Sequence, residues 1–305
     1  GQMPGVPGGV LNSSARQHAE SRQELARSVE NLGRTASAIA AQQAAQKAAR
    51  AAAAQAAGMP DGHVQGGLWD RDANGNLHAW TGAERPVHTQ ADGKHTVAIK
   101  QTESKAVLNW ETFNVGRNTT VDFAQQADWS VLNRVNDPKA RPSQIQGAIK
   151  GGGTVLLVNR NGIVFTGTSQ VDVRNLVAAA TDFTDAQFQA NGIYGANGTG
   201  QSFTNAGGNV RVEAGAQLST LAPTSVTQGG GYVLLLGREV DNAGTIQTPR
   251  GQALLAAGDS FVIRKGLTPD TAQGGTGRDA GLRAACEDVA ARRSGVLDAG
   301  DGKRP

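Results

Sequence analysis

The residues best placed to do chemistry are oxygen donors at alternate positions. In Asp70-Arg71-Asp72-Ala73-Asn74-Gly75-Asn76, Asp70, Asp72 and Asn74 stand at positions one, three and five, and Gly75 stands at six, the first half of a calcium loop. Position twelve is Thr81, which has no carboxylate to close the coordination shell, so the run reads equally as an Asx-rich hairpin turn. Gly274-Gly275-Thr276-Gly277-Arg278-Asp279 matches one calcium-binding nonapeptide, but Gly281 replaces its large apolar residue and no second copy follows. Chance in a glycine-rich tail accounts for it. For acid–base work on a glycan, the supply of carboxylates is Asp122, Asp128, Asp172, Asp182 and Asp185. They are scattered and read as solvated turn residues. His18, His63, His78, His88 and His95 have no metal spacing on a helix face and are expected at the surface. The single Cys286 rules out an intrachain disulfide or a cysteine zinc cluster and leaves a candidate surface thiol. No GxSxG elbow, phosphate loop or dinucleotide fingerprint occurs, and no cofactor is expected.

The elements that must position these residues are short strands. In 151–165, GGGTVLLVNRNGIVF, an apolar run meets Asn159-Arg160-Asn161-Gly162 and then a second apolar run. This reads as strand, tight turn, strand, because Asn and Gly tolerate positive φ and can reverse the chain. Similar runs occupy 96–101, 106–110, 119–124, 130–135, 145–149, 154–158, 163–166 and 171–173, punctuated by Gly, Asn, Asp or Pro. After a looser segment at 181–208 the rhythm resumes. Val233 to Leu254 is a step of 21 residues, and Gly215-Ala216-Gln217-Leu218 and Gly244-Thr245-Ile246 share a glycine followed by outward and inward residues. A period near 20 predicts an all-β solenoid, a right-handed parallel β-helix, whose coils bury their inner side chains only by stacking. A β-sandwich would need hairpin pairing instead.

Around this column, 14–57 reads as a helix opened by a Ser14/Gln17 capping box and stopped at Gly58-Met59-Pro60. Leu25, Val29, Leu32 and Ile39 line one face, either of a solvated leader or of a helix that docks on a partner. The segment 58–93 is expected to form an irregular cap anchored by Trp69 and Trp80, and 268–305 loses the β pattern and reads as disordered. The organisation is thus leader 1–57, β domain 58–267 and tail 268–305. Among 305 residues there are 41 glycines, 4% aromatics, 18% charged residues and a net charge of +3. Without a basic stripe interleaved with aromatics, nucleic acid is not an expected partner. Membrane insertion is not expected either, since Gln42, Gln43, Gln46, Lys47, Arg50 and Gln55 interrupt the most apolar stretch. No signal peptide is read at the start, where Met3 is followed by Pro4, Gly5 and Pro7, so the chain reads as processed or as begun downstream of one.

Several ordered blocks carry a resemblance: Asn109-Trp110, Phe113-Asn114-Val115-Gly116, Val121-Asp122-Phe123, Val131-Leu132-Asn133-Arg134-Val135, Ile145-Gln146-Gly147, and Val155 to Val158 running into Asn159-Arg160-Asn161-Gly162-Ile163. In this order they resemble the N-terminal secretion domain of filamentous-haemagglutinin-like exoproteins, which leave the cell by two-partner secretion. The likeness is strong over 97–177 and looser to about 264. The family's turn is Asn-Pro-Asn-Gly-Ile, so Arg160 stands in place of proline; Asn133, Arg134 and Val135 are a degenerate counterpart of a second motif, Asn-Pro-Asn-Leu. The resemblance implies a capped right-handed β-helix, recognised in extended form by the periplasmic POTRA domains of a cognate outer-membrane β-barrel transporter and folded at the cell surface. It implies a non-catalytic targeting and fold-nucleating module of an adhesin, haemolysin or contact-dependent toxin. Asn159, Asn161 and Gly162 then either close a turn, touch the transporter, or do both. Two other classes remain: a β-helix polysaccharide lyase or hydrolase, and an adhesin domain binding a host-surface glycan or receptor. Trp69, Trp80, Trp110 and Trp129 form no visible stacking platform and are expected to cover coil ends.

Overall fold

The computed structural model describes residues 9–54, 58–225, 229–265, 282–286, 291–293 and 296–298. The chain divides into two compact units, 1–47 and 48–305. In the first unit lies most of α1 (Gly9–Ala54), which begins earlier than its capping box implies. Leu25, Val29, Leu32 and Ile39 are 50–70% exposed along it. Alanine, glutamine, glutamate and arginine favour helix intrinsically, and the length of 46 residues offsets the cost of nucleation without a packed face. No described helix is long and apolar enough to cross a membrane.

The second unit is a parallel β-helix with three ladders. Its strands in chain order are β1 (Leu68–Trp69), β2 (Trp80–Thr81), β3 (Val87–Ala91), β4 (Lys94–Lys100), β5 (Lys105–Trp110), β6 (Thr112–Phe113), β7 (Thr119–Ala124), β8 (Ser130–Val135), β9 (Ser143–Ile145), β10 (Ala148–Val158), β11 (Ile163–Phe165) and β12 (Gln170–Ala179). After a short helix, α2 (Asp185–Asn191), come β13 (Val210–Val212), β14 (Gln217–Thr220), β15 (Tyr232–Gly237), β16 (Val240–Asn242), β17 (Thr245–Gln247), β18 (Gln252–Ala257), β19 (Phe261–Lys265), β20 (Leu282–Cys286), β21 (Ala291–Arg293) and β22 (Val296–Asp298). The first ladder stacks β4, β7, the start of β10, the start of β12, β14, β17 and β22 in parallel. The second stacks β5, β8, the end of β10, the end of β12, β15 and β18. The third stacks β9, β11, β13, β16 and β21, with Val115 bridged to Ile145 at its head. Strand twist favours a right-handed crossover for coil-to-coil connections of this kind.

Several expectations change in detail. The strand expected over 145–149 is divided, β9 ending at Ile145 and β10 beginning at Ala148 in a different ladder; at the corner between them Gly147 allows a close backbone approach, since a Cβ there would lie 2.2 Å from the carbonyl oxygens of Gly116 and Thr119. The turn after β10 does not make a hairpin: β10 and β11 belong to different ladders, and the chain turns a corner instead of reversing. Val233 lies opposite Ala253, one residue before Leu254, while Thr245 and Ile246 lie opposite Gln217 and Leu218 as their shared motif implied. In the tail expected to have lost the β pattern, β21 and β22 extend two ladders and β20 pairs antiparallel with β19; Gly274 to Gly281 lies outside the described residues.

Packing explains why the ladders differ in sequence. The first alternates buried and exposed residues, as in Thr119–Ala124, and Asp122, Lys150 and Asp172 stack as a charge-alternating row outside it. The second has unbroken apolar runs such as Val233 to Leu236, because both of its faces are buried. Val155, Leu157, Leu176, Val233 and Leu235 point into the column. Leu132, Leu156, Val177 and Leu234 point outward beneath Phe183, Phe188, Phe203, Phe261 and Ile263. Most of that cover is the excursion 180–209, which contains the segment 181–208 expected to be loose. It contains α2, whose N-cap Thr184 accepts from the amide of Gln187, and Lys105 Nζ pins its end through the carbonyls of Phe188 and Gln189 at 3.0 and 2.8 Å.

The cap is more regular than its sequence suggested. β2 pairs antiparallel with β5, β3 with β4, and β1 with β6 beside the head of the third ladder. Its internal fastener is Asp70, 1% exposed, which accepts from His63 Nε2 at 2.9 Å and Arg85 Nη1 at 3.1 Å. Arg85 also stacks over Trp80 at 4.8 Å and donates to the His78 carbonyl. Burial alone would raise the Asp70 pKa, but the hydrogen bonds and charges of His63 and Arg85 more than offset it, leaving the carboxyl below its ordinary value. Stability from this depressed carboxyl is present above its unfolded pKa, about 3.9, and is lost as pH falls through the folded value. Replacing Asp70→Asn is expected to cost about 1–3 kcal/mol near neutrality. Denaturant unfolding at stepped pH should show a wild-type advantage that shrinks as pH falls below about 4. An advantage unchanged at low pH would remove Asp70 from this role.

Candidate functional site

The Asn159–Ile163 corner is an interior joint. Asn159 is fully buried; its Nδ2 donates to the Arg141 carbonyl at 3.2 Å and Ser143 Oγ at 3.0 Å, and its Oδ1 accepts from the Asn161 amide at 3.0 Å. Its carbonyl accepts from the Gly162 amide at 3.0 Å, so an Asx turn lies over a β-turn. The Asn159 amide bonds the Ala179 carbonyl in the next coil. Gly162 has φ +126, and a Cβ there would lie 3.1 Å from the Asn209 carbonyl oxygen and 3.3 Å from Pro142 Cβ. The corner is therefore clamped between the corners of the coils on either side. Ile163 is buried in the core. Arg160, exposed, has Nε 3.0 Å from the Asn205 carbonyl and Nη2 3.3 Å from Asn205 Oδ1. Where proline would fix φ, arginine holds this corner through contacts with the 180–209 excursion.

The second motif meets the first. Asn133 lies one ladder position from Leu157, and Arg134 from Val158. Fully buried Asn133 accepts from Trp110 Nε1 at 2.9 Å and donates to the Leu156 carbonyl at 3.1 Å. Arg134 points outward, donating to the Phe183 carbonyl at 2.7 Å and pairing with Asp185; Val135 is buried. Between the motifs and the excursion is a cleft of about 400 Å³, lined by Arg134, Val158, Arg160, Thr181, Asp182 and Asp185 among others. Thr181 Oγ1 is buried there without a hydrogen-bond partner.

The other candidate residues go elsewhere. Asp182 accepts from Asn205 Nδ2 at 2.8 Å, Asp185 is taken by Arg134, Asp128 is exposed at a turn, and Asp122 and Asp172 are on the first ladder's outer face. Asp70 is committed to His63 and Arg85. Asp72 accepts from the amides of Asn74 and Asn76, both at 2.9 Å; the Asn76 amide is the largest cause of its lowered pKa. Asn74 is exposed. The surface expectation fails for His63, with a side chain only 16% exposed, and His78 is half-buried against Glu111. Trp80, Trp110 and Phe113 stack edge to face at the N-terminal end of the column. Sequence reasoning missed Asn205, Thr181 and α2; the available signal was Thr184-Asp185-Ala186-Gln187, which has the form of a capping box.

A parallel β-helix sealed at its first coil by antiparallel strands, with two asparagine motifs meeting at one corner, defines a class of secretion domain. The family model described as TPS secretion domain matches residues 74–295, and the chain belongs to that family of two-partner secretion domains. A heme/hemopexin-binding protein of Haemophilus influenzae is 29% identical over 211 residues, covering 67% of this chain and 21% of that protein. A second protein of that name from the same species is 37% identical over 87 residues, covering 28% of this chain and 9% of its own length. The chain thus spans about a fifth or less of these relatives. The crystal structure of the HMW1 secretion domain from Haemophilus influenzae superposes with a TM-score of 0.52 at 19% identity, covering 73% of this chain and 53% of that one, and shares its fold. Domains of this family carry exoproteins through the periplasm to the outside of the cell.

Removing the buried Asn159 amide strands three partners, the buried Ser143 hydroxyl and the part-buried Arg141 carbonyl and Asn161 amide, so Asn159→Ala is expected to lose about 2–4 kcal/mol, and Gly162→Val to lose at least as much through its strained φ. Arg160→Ala should lose about 1 kcal/mol or less. Urea unfolding of the three variants checks the order; an Asn159→Ala protein within about 0.5 kcal/mol of wild type would contradict this account of the corner.

Proposed function

We propose that this chain is a non-catalytic export module whose Asn159–Ile163 and Asn133–Val135 segments act before the column closes. The observation that carries this is burial: Asn133, Asn159, Gly162 and Ile163 are inside the folded coils, and Arg160 is occupied by Asn205. A transporter could read those buried side chains only in an extended chain. The partner fitting such a chain is the cognate outer-membrane β-barrel with periplasmic POTRA domains, through strand addition to a free sheet edge. Once outside, the same residues serve the fold. The cap closes the first coil, and each coil then templates the next. The larger exoprotein, an adhesin, haemolysin or contact-dependent toxin, would supply whatever effector activity follows.

Co-expression with the neighbouring transporter should place the wild-type chain in the medium, with Asn159→Ala and Gly162→Val reduced several-fold and Arg160→Ala close to wild type. In a direct binding assay, purified POTRA domains should capture urea-unfolded chain and ignore chain folded beforehand. Equal capture of the folded protein would sink the proposal that recognition precedes folding.

A further inference from the structure

At the sealed end of the column, two ring nitrogens address the same point. His88 is on β3 and His95 on β4; His88 lies opposite Val97 and Gln90 opposite His95, so both imidazoles rise from one face of the hairpin, diagonal to each other. His88 Nε2 is 2.9 Å from His95 Nδ1, and the ring centroids are 5.1 Å apart. That spacing exceeds face-to-face van der Waals contact, about 3.5–4 Å, and matches rings meeting nitrogen to nitrogen. Gly62, with φ +87, backs the His88 ring so closely that a Cβ there would lie 2.3 Å from its Cε1. The neighbouring polar groups are committed: His63 to Asp70, His78 to Glu111, Asp61 to Asn118 and Thr119, and Lys94 to Asn118.

We infer that His88 and His95 form a two-histidine site for a borderline divalent transition cation such as Zn²⁺, Ni²⁺ or Cu²⁺, which ties β3 to the first coil. Imidazole nitrogen suits these ions, whereas Ca²⁺ and Mg²⁺ require oxygen. On binding, the N–H···N contact between the rings breaks and the rings turn so that each nitrogen lies about 2.0–2.1 Å from the ion; the proton of the donor ring moves by exchange with solvent to that ring's other nitrogen, so both ligands are neutral imidazoles. No group of three or more His, Cys, Asp or Glu converges among the described residues, so water fills the remaining coordination positions and the ion is exchangeable. β3 has the most to gain, because all five of its residues are exposed.

The test is calorimetric titration of the untagged chain with NiCl₂ and ZnCl₂, beside CaCl₂, with the melting temperature followed in parallel. The expected result is one Ni²⁺ or Zn²⁺ site lost roughly tenfold or more on His88→Gln or His95→Gln, retained in His78→Gln, and silent to Ca²⁺. Zinc should raise the melting temperature of the wild type but not of the His95→Gln protein. Circular dichroism establishes that each variant is folded, and His88→Gln, on a fully exposed strand, keeps the comparison available if His95→Gln is not. Absence of saturable binding, or wild-type affinity in either single variant, overturns the assignment.

Discussion

The whole column depends on the unpaired edge of a parallel strand. Each coil leaves a row of N–H and C=O groups that only another coil, or a cap, can satisfy. At the N-terminal end this need is met three times over: β3 closes β4, β2 closes β5 and β1 closes β6. Antiparallel pairing suits this task, since a short strand can fold back from a tight turn without a full crossover. Asp70, His63 and Arg85 then lock the pieces together through one buried carboxylate, and Trp80 and Trp110 fill the end of the bore.

The second constraint is lateral. A ladder with apolar residues on both sides cannot face water, and the second ladder has such residues from Leu132 to Leu234. The excursion 180–209 exists to cover it, and Arg134, Arg160 and Lys105 hold the cover down by hydrogen bonds to backbone carbonyls. The two asparagine motifs therefore have one inward job and one outward job each. The asparagine satisfies buried backbone groups inside, and the following arginine reaches out to anchor the cover.

The strands, their approximate period and the β-helix class were legible because inward apolar residues recur coil by coil between glycine and asparagine corners. The Asn159 turn was legible as a turn but misread in direction: Asn-Gly supplies positive φ to hairpins and coil corners alike, and the choice between them is made by Pro142 and Asn209, far away or on the next coil. The cap was read as irregular since β1 and β2 have two residues each and the five residues of β3 are all exposed, so none of them carries an alternation of apolar residues to detect. His63 was placed at the surface because nothing local reveals that Asp70 is buried beside it. The helix α2 left a signal, Thr184 with Gln187, but its seven residues show too little of a 3.6-residue pattern to stand out.

The excursion also shows where this architecture accepts added length. Leu176 to Ala179 stay in step with Val233 to Leu236 although a whole folded lobe interrupts the corner between them. Strand phase is thus insulated from what is spliced at that bend. The fold separates a rigid spine, which fixes spacing along the axis, from side lobes that can be enlarged or exchanged, and a passenger grafted at the bend after Ala180 would ride on the spine without altering its pitch.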